Sequence, residues 1–221
     1  MIPLYYDLHI HSCLSPCGDD DMTPSNITGM AAVKNLDVIA LTDHNSCRNC
    51  PAAIEAGKRL GITVLPGMEL TTSEEIHVLF LFASLGRALS FDAYVYEHLL
   101  PVRNRPEIFG TQLIVDENDK VSGSLDKLLI SATDIPFDET GKLADSFGGI
   151  CFPAHLDKSS TSLISNLGAI PPDSTFSCAE LKDMKNLHRL KRKHHYLENC
   201  RILSSSDAHY LWDIAEPNLQ I

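Results

Sequence analysis

No run in the 221 residues approaches the roughly 20 consecutive apolar positions a membrane-crossing helix needs. The opening MIPLYYDLH has neither a basic n-region nor a long apolar h-region, so no export signal is expected and cytoplasm is the expected location. Internal repeats, low-complexity tracts and linker-like stretches are also missing, which favours a single domain over 1–221. Positive charge is scarce: 18 Lys and Arg stand against 29 Asp and Glu, for a net charge of −11. That balance argues against non-specific nucleic-acid binding, which needs a basic footprint for phosphates. It omits bound metal, however, and a divalent ion can invert the sign of a site that looks acidic in sequence. The seven cysteines are an odd number in a chain too long to depend on disulfide staples, so reduced thiols are expected.

What is present is a βα rhythm. Apolar, β-branched runs at Leu4–Leu8, Val38–Leu41, Thr63–Leu65, His77–Phe82, Gly149–Pro153, Phe176–Ala179 and Arg201–Ser204 read as strands. Between them lie predicted helices. The first starts at Thr23-Pro24, a capping residue followed by a proline suited to the first turn, and runs to Asn35. Others cover Pro51–Leu60, Phe91–Leu100, Ser124–Ser131, Ser160–Asn166 and Met184–Tyr196. Continuous apolar strands separated by helices imply an α/β fold, mostly parallel, with its site at the strand C-terminal ends.

The polar residues sit where that rule places a site. DLHIH follows the first strand, TDHN the second, PGMEL the third, PAHLDK the fifth and SSSDAH the last. The candidate metal ligands are His9, His11, one of Asp19 and Asp20, His44, Glu69, His77, His155, Asp207 and His209. A lone histidine in a loop is usually a surface or satisfied core residue. Most of the ten histidines, however, cluster at or near predicted strand ends, where burying them unpaired would cost several kcal/mol apiece. The set exceeds the about four to six ligands of one ion, so two or three divalent ions are expected, with zinc, manganese and iron all compatible. His9/His11 and Asp207/His209 stand two apart, so on a strand each pair points one way. Glu69, with two oxygens, is the natural bridge.

DLHIHS, ALTDHN, GMEL, EIHVLFLF, PAHLDK and SSDAH occur in the order and approximate spacing of the PHP (polymerase and histidinol phosphatase) family of metal-dependent phosphoesterases. The chain resembles that family from Tyr6 to His209; TDH or DAH alone would be weak, but the ordered set is specific. The resemblance implies a distorted (β/α)7, TIM-like barrel with a di- or trinuclear centre at its C-terminal mouth. It implies that His9, His11, Glu69 and Asp207 hold one ion, and that Glu69, His77 and His155 hold a second. His44 and His209, with an acid from the loop after the first strand, would hold a third. Counting back from Pro24 selects Asp19, and a one-residue shift selects Asp20; where family members read SDG, this loop reads SPCGDDD.

The implied chemistry is hydrolysis of a phosphate ester by a metal-bridging hydroxide, with Glu69, Asp207 and His209 as the catalytic residues. Lys158, three residues past His155, and Arg48, just past TDHN, are the candidate clamps for phosphoryl oxygens. A small phosphorylated substrate (a nucleotide or a sugar or amino-alcohol phosphate), no membrane and no stable nucleic-acid partner are expected. Histidinol-phosphate hydrolysis and a catalytically silent, metal-stabilised binding module are the alternatives. The basic run Lys182–His195 reads as a solvated helix face, on which His188 and His195 would share one side. CRNC, Cys47–Cys50, and the pair Cys13 and Cys17 lie beside the expected site and read as ordinary thiols rather than a redox pair. Residues 84–148 carry no candidate ligand, include a predicted hairpin in TQLIVDENDKVSG, and form either a lid or a surface elaboration.

Overall fold

The computed structural model describes residues 4–217, so the outermost residues of the expected single domain lie outside the described chain. In chain order the elements are β1 (Tyr6–Ile10), α1 (Pro24–Val33), β2 (Val38–Leu41), α2 (Cys50–Leu60), β3 (Thr63–Thr71) and β4 (His77–Phe82). There follow α3 (Leu85–His98), α4 (Pro106–Phe109), β5 (Leu113–Val115), β6 (Val121–Ser124), α5 (Thr140–Phe147) and β7 (Gly149–Pro153). The chain ends with α6 (Leu163–Leu167), β8 (Cys178–Glu180), α7 (Leu187–Lys193) and β9 (Arg201–Leu203). Among the described residues no helix is long and apolar enough to cross a membrane.

The strands form a five-stranded mixed sheet in the order β1-β2-β3-β4-β7, with β8 and β9 as a separate parallel pair. The expected distorted (β/α)7, TIM-like barrel is present as an α/β fold with a mixed sheet; among the described residues no continuous ladder runs round the ring. Isolated hydrogen bonds span the gaps: Leu156 N–H to Glu180 O at 2.9 Å on one side, and His11 N–H to Ala208 O at 3.0 Å with Ala208 N–H to His9 O at 3.4 Å on the other. The mostly parallel expectation fails at β4, which is antiparallel to both β3 and β7. Only five residues separate Thr71 from His77, too few for the crossover of a dozen or so residues that a parallel neighbour requires. β3 runs six residues past its predicted end at Leu65. It pairs with β2 as far as Pro66 and with β4 from Gly67 onward. Gly67 permits the change of partner, since a Cβ there would lie 2.8 Å from Phe80 O and from Thr42 Cγ2.

Alternate residues of β4 enter different apolar layers. Val78, Phe80 and Phe82 pack beneath the helices, where Phe91 of α3 lies 4.5 Å from Phe80 and 5.3 Å from Phe82, ring to ring. Leu79 and Leu81 turn to a second cluster built from strand and strand-end residues, with Tyr6, Leu8, Ala40, Phe152, Ala154 and Leu203. The sheet is thus covered on both faces, and β9 shares the inner cluster with β1 without a continuous ladder between them.

The segment 84–148 packs against the loops that carry the candidate ligands. Its predicted hairpin forms, as β5 and β6. The predicted helix Ser124–Ser131 does not, because the buried Gln112 supplies bonds a helix would have made internally. Its amide N–H groups donate to Leu125 O and Lys127 O at 2.9 Å, and its carbonyl accepts from Leu129 N–H at 2.8 Å. α5, by contrast, was not anticipated. Asn45 donates to Leu129 O and Ser131 O, and Asn49 donates to Leu113 O while accepting from Val115 N–H. Asn45 follows the TDH motif directly and Asn49 lies five residues past it, so the wall of the candidate site also anchors the insertion. A buried backbone group left unpaired costs about 1–3 kcal/mol. Asn49→Ala is therefore expected to lower stability by about 2 kcal/mol in denaturant titration and to speed amide exchange across residues 113–124. Unchanged exchange there would show that apolar contacts alone hold the insertion.

Candidate metal centre

His9 lies on β1 and His11 just past it, and both rings are fully buried on one side of the strand. Glu69 comes from β3, and an isolated parallel bridge sets His44 beside it. His77 opens β4, His155 follows β7, and Asp207 and His209 follow β9. Five of the imidazoles meet at Glu69, with Asp207 and His209 beside them. Its Oε1 lies 3.2 Å from His9 Nε2 and 3.0 Å from both His77 Nδ1 and His155 Nε2. Its Oε2 lies 3.3 Å from His11 Nε2 and 3.0 Å from His44 Nδ1. Asp207 Oδ1 stands 3.4 Å from Nε2 of both His9 and His11.

Three sets each bring their ligand atoms within 4.8 Å of one another: His9, His11, Glu69 and Asp207; His44, Glu69 and His77; and His11, His44 and His209. His155 stands outside these sets but reaches the same Glu69 oxygen as His77. The donor geometry fits divalent cations better than a hydrogen-bonded cluster. Nδ1 of His44 and of His77 lie at hydrogen-bond distance from Glu69 yet make no hydrogen bond, so these atoms converge without a proton directed between them. Nε2 of His9 and of His11 are 3.1 Å apart, a spacing at which at most one can carry the proton.

Ionisation is likewise divided. Burial opposes the charge on Glu69, but His77, His9 and His44 outweigh it and hold the carboxyl well below the ordinary range. Burial also opposes protonation of His9, and Glu180, Glu69 and Asp207 overcome it and raise this imidazole. Burial pushes His77 down to about 4 against the pull of Glu69, and burial with His11 pushes His209 down to about 3. Neighbouring imidazoles thus favour opposite protonation states, a conflict that bound cations remove.

Side chains around the cluster aim these rings. Glu180, at the end of β8 and 1% exposed, accepts from His9 Nδ1–H at 2.9 Å and from His155 N–H at 3.1 Å. Ser15 Oγ accepts from His11 Nδ1–H at 3.0 Å and donates to Asp43 at 2.7 Å; Asp43 also accepts from Ser12 N–H and Oγ–H. With Nδ1 donating, each Nε2 is left as a free lone pair facing Glu69 and Asp207. Asp7, fully buried on β1, accepts from Ser206 N–H and Ala215 N–H and so fixes the Asp207 loop. The backbone is left-handed at His155 (φ 27°) and Asp207 (φ 52°), a cost concentrated where ligands must be aimed. Glu180, Asp43 and Asp7 were missed as functional residues. Glu180 had one visible signal, a lone acid at the end of an apolar strand, like the ligands themselves.

The remaining candidates fall in several places. Asp19 and Asp20 are in none of the converging sets: Asp19 Oδ1 accepts from Asp21 N–H, and Asp20 is exposed. Asp19 N–H does donate to His209 O at 3.0 Å, which ties this loop to the site. Lys158 Nζ donates to Asp207 Oδ2 and therefore stands at the rim of the cluster. Arg48 Nε is engaged with Asp92 of α3 at 2.6 Å, away from Glu69. The CRNC thiols are core groups: Cys47 Sγ–H donates to Gly67 O and Cys50 Sγ–H to Leu41 O, and burial raises the Cys47 thiol. α7 ends at Lys193, and His195 enters a 3-10 turn where it pairs with Glu198, so the predicted His188/His195 face does not form.

The family model described as PHP domain matches residues 7–157. An uncharacterised protein of Methanocaldococcus jannaschii is 37% identical over 93 residues, covering 38% of this chain and 54% of its own. A 5'-3' exoribonuclease of Haemophilus influenzae is 34% identical over 79 residues, covering 34% of this chain and 28% of its own. The chain thus spans about a quarter to a half of the length of these relatives. Among solved structures, the lesion-specific endonuclease Q of Pyrococcus furiosus shares the fold at a TM-score of 0.65 and 19% identity, over 95% of this chain and 49% of that one. Endonuclease Q bound to a 27-mer duplex with an abasic lesion at its active site matches at 0.67 and 19% identity, over 95% and 50%. These findings correct the expectation of a small phosphorylated substrate and no nucleic-acid partner. The expectation rested on net charge, a sum over the whole surface, whereas the sign at a metal-lined mouth is set locally. With the PHP domain model matching 7–157 and the histidine and carboxylate side chains of its motifs converging on Glu69, the chain belongs to the PHP domain family.

Proposed function

We propose that this chain is a metal-dependent phosphoesterase that hydrolyses phosphoester bonds of nucleic acid. The observation that carries the reading is Glu69, one buried carboxylate within 3.3 Å of five imidazole nitrogens. A carboxylate so surrounded suits a ligand shared between cations. His9, His11, Glu69 and Asp207 would hold one ion, Glu69, His77 and His155 a second, and His44 and His209, with His11 or an acid of the 19–20 loop, a third. Zinc, manganese and iron all suit this donor set. Divalent ions there supply the Lewis-acid charge that activates water near neutral pH and stabilises the oxygens of a displacement at phosphorus.

The chain's own residues do the rest. Glu180 and Ser15 hold the His9 and His11 protons on Nδ1, away from the cluster. Lys158 would meet a non-bridging phosphoryl oxygen at the rim, a role supported by its ammonium touching Asp207. The nucleic-acid assignment is supported by the exoribonuclease name of a relative and by the fold shared with endonuclease Q. The test is to strip the protein with chelator, reload it with zinc, manganese or iron, count the ions, and assay end-labelled RNA and DNA. At least two ions per chain and metal-dependent cleavage of one of these polymers are expected. Tightly held metal with no cleavage of either would leave a metal-stabilised module and overturn the reading.

A further inference from the structure

The protein has one tryptophan, Trp212, and it is 81% exposed. Tyr210, two residues earlier and directly after the ligand candidate His209, is 55% exposed. Singly exposed apolar side chains are common on protein surfaces. Here the backbone beneath them is held firmly. Lys34 Nζ donates to Trp212 O at 3.0 Å and also to Ile214 O, Ala215 N–H donates to the buried Asp7, and Ile214 is 1% exposed. The 3-10 turn Leu211–Asp213 is therefore tied down on both sides while the indole stays in water. Three residues of chain reach at most about 10 Å, so Trp212 lies within roughly that distance of His209.

A concentration of positive charge among the described residues begins at the same loop. Lys158 Nζ donates to the Asp207 carboxylate and Lys182 Nζ to the Ser206 carbonyl. Asp157, next to Lys158, fixes the start of the basic segment by accepting from Lys182 N–H at 2.7 Å, Asp183 N–H at 2.9 Å and Asn186 Nδ2–H at 2.9 Å. From there Lys185, Arg189, Arg192 and Lys193 are exposed. Ammonium and guanidinium groups on one side of a metal cluster and rigidly mounted aromatic faces beside it are what an unpaired nucleotide strand uses: phosphates track the charge and bases stack on the rings. A duplex keeps its base faces within its own stack and cannot use the aromatic part.

We infer that Tyr210 and Trp212 form a base-stacking platform for a single-stranded nucleic acid whose phosphates follow Lys158, Lys182 and the basic segment to Lys193. This deepens the proposed function and rests on its nucleic-acid assignment. Because Trp212 is the sole tryptophan, its intrinsic fluorescence reports on this surface directly. A single-stranded oligonucleotide with phosphorothioate linkages, which slow hydrolysis, is expected to quench that emission, and its pre-formed duplex to quench it less. Trp212→Ala, with thermal unfolding followed as a check on folding, is expected to weaken binding of a dye-labelled strand about tenfold, and Trp212→Phe to restore most of it. Cleavage of nucleic acid with no quenching and no change in affinity for Trp212→Ala would overturn the platform and leave the proposed function standing. Quenching and weakened binding without cleavage would support the platform and sink the proposed function. Emission that changes with protein concentration but not with oligonucleotide would assign the exposed rings to a second copy of the chain, and overturn the inference.

Discussion

Glu69→Gln is expected to remove at least one bound ion per chain and to lower metal-dependent phosphoester hydrolysis about a thousandfold. Glutamine keeps the volume of the side chain and can keep one carbonyl oxygen in place. It loses the charge and the second oxygen, and those are what five imidazoles and the two proposed ion sites share. A cation at such a centre stabilises the transition state by several kcal/mol, and each 1.36 kcal/mol is a factor of ten in rate, so loss of one ion accounts for an effect of about that size. The fold should survive, because β3 is held by its ladders to β2 and β4 rather than by the carboxylate. Metal analysis, circular dichroism and kcat/KM on the same preparation check all three statements. A Glu69→Gln protein with full metal content and full turnover would show that the shared carboxylate is not the centre of the site.

Glu180→Gln tests the part of the site that no motif announced. Glu180 makes no approach to Glu69 or Asp207 that would place it among the ligands; it accepts from His9 Nδ1 and His155 N. An amide oxygen can still accept from both, so the geometry is retained while His9 becomes a weaker base. Outer partners of this kind typically contribute 10–100-fold in metal affinity. The expected result is metal binding about 10–100-fold weaker in chelator competition, with turnover recovered at high metal concentration. Glu180→Ala, which leaves the His9 proton and the buried His155 N–H unpaired, should lose more and should not recover fully. Wild-type metal affinity in Glu180→Gln would reduce Glu180 to a packing residue. Unlike a purely structural role, positioning predicts that the loss appears in affinity before it appears in the melting temperature.

The candidate ligand positions that converge were legible because their signals are local. His9 and His11 advertise themselves by their spacing on a strand, and TDH, PAHLDK and SSDAH each carry an unusual charge at the end of an apolar run. Glu180 offered only one acid in CAEL, and nothing nearby in sequence says that its partner is 171 residues away. Asp43 and Asp7 sat inside recognised motifs, yet their roles depend on serines and backbone amides that reach them only in the folded chain. The missing helix at 124–131 has the same origin: local propensity favoured it, and one buried glutamine outbid it with three backbone bonds. The antiparallel β4 is different, since the short connection from Thr71 to His77 was readable and forbids a parallel neighbour.

By itself, the sequence determined the α/β alternation, the family motifs and the residues that meet at Glu69, because each depends on periodicity or spacing over a few positions. Tertiary structure alone decided the mixed sheet, the anchoring of 84–148 by Asn45 and Asn49, the partners that aim His9 and His11, and the placing of Lys158, Lys182, Tyr210 and Trp212 around one loop. Those depend on which distant backbone and side-chain groups must be paired once water is excluded. That pairing exists only when the chain has closed on itself.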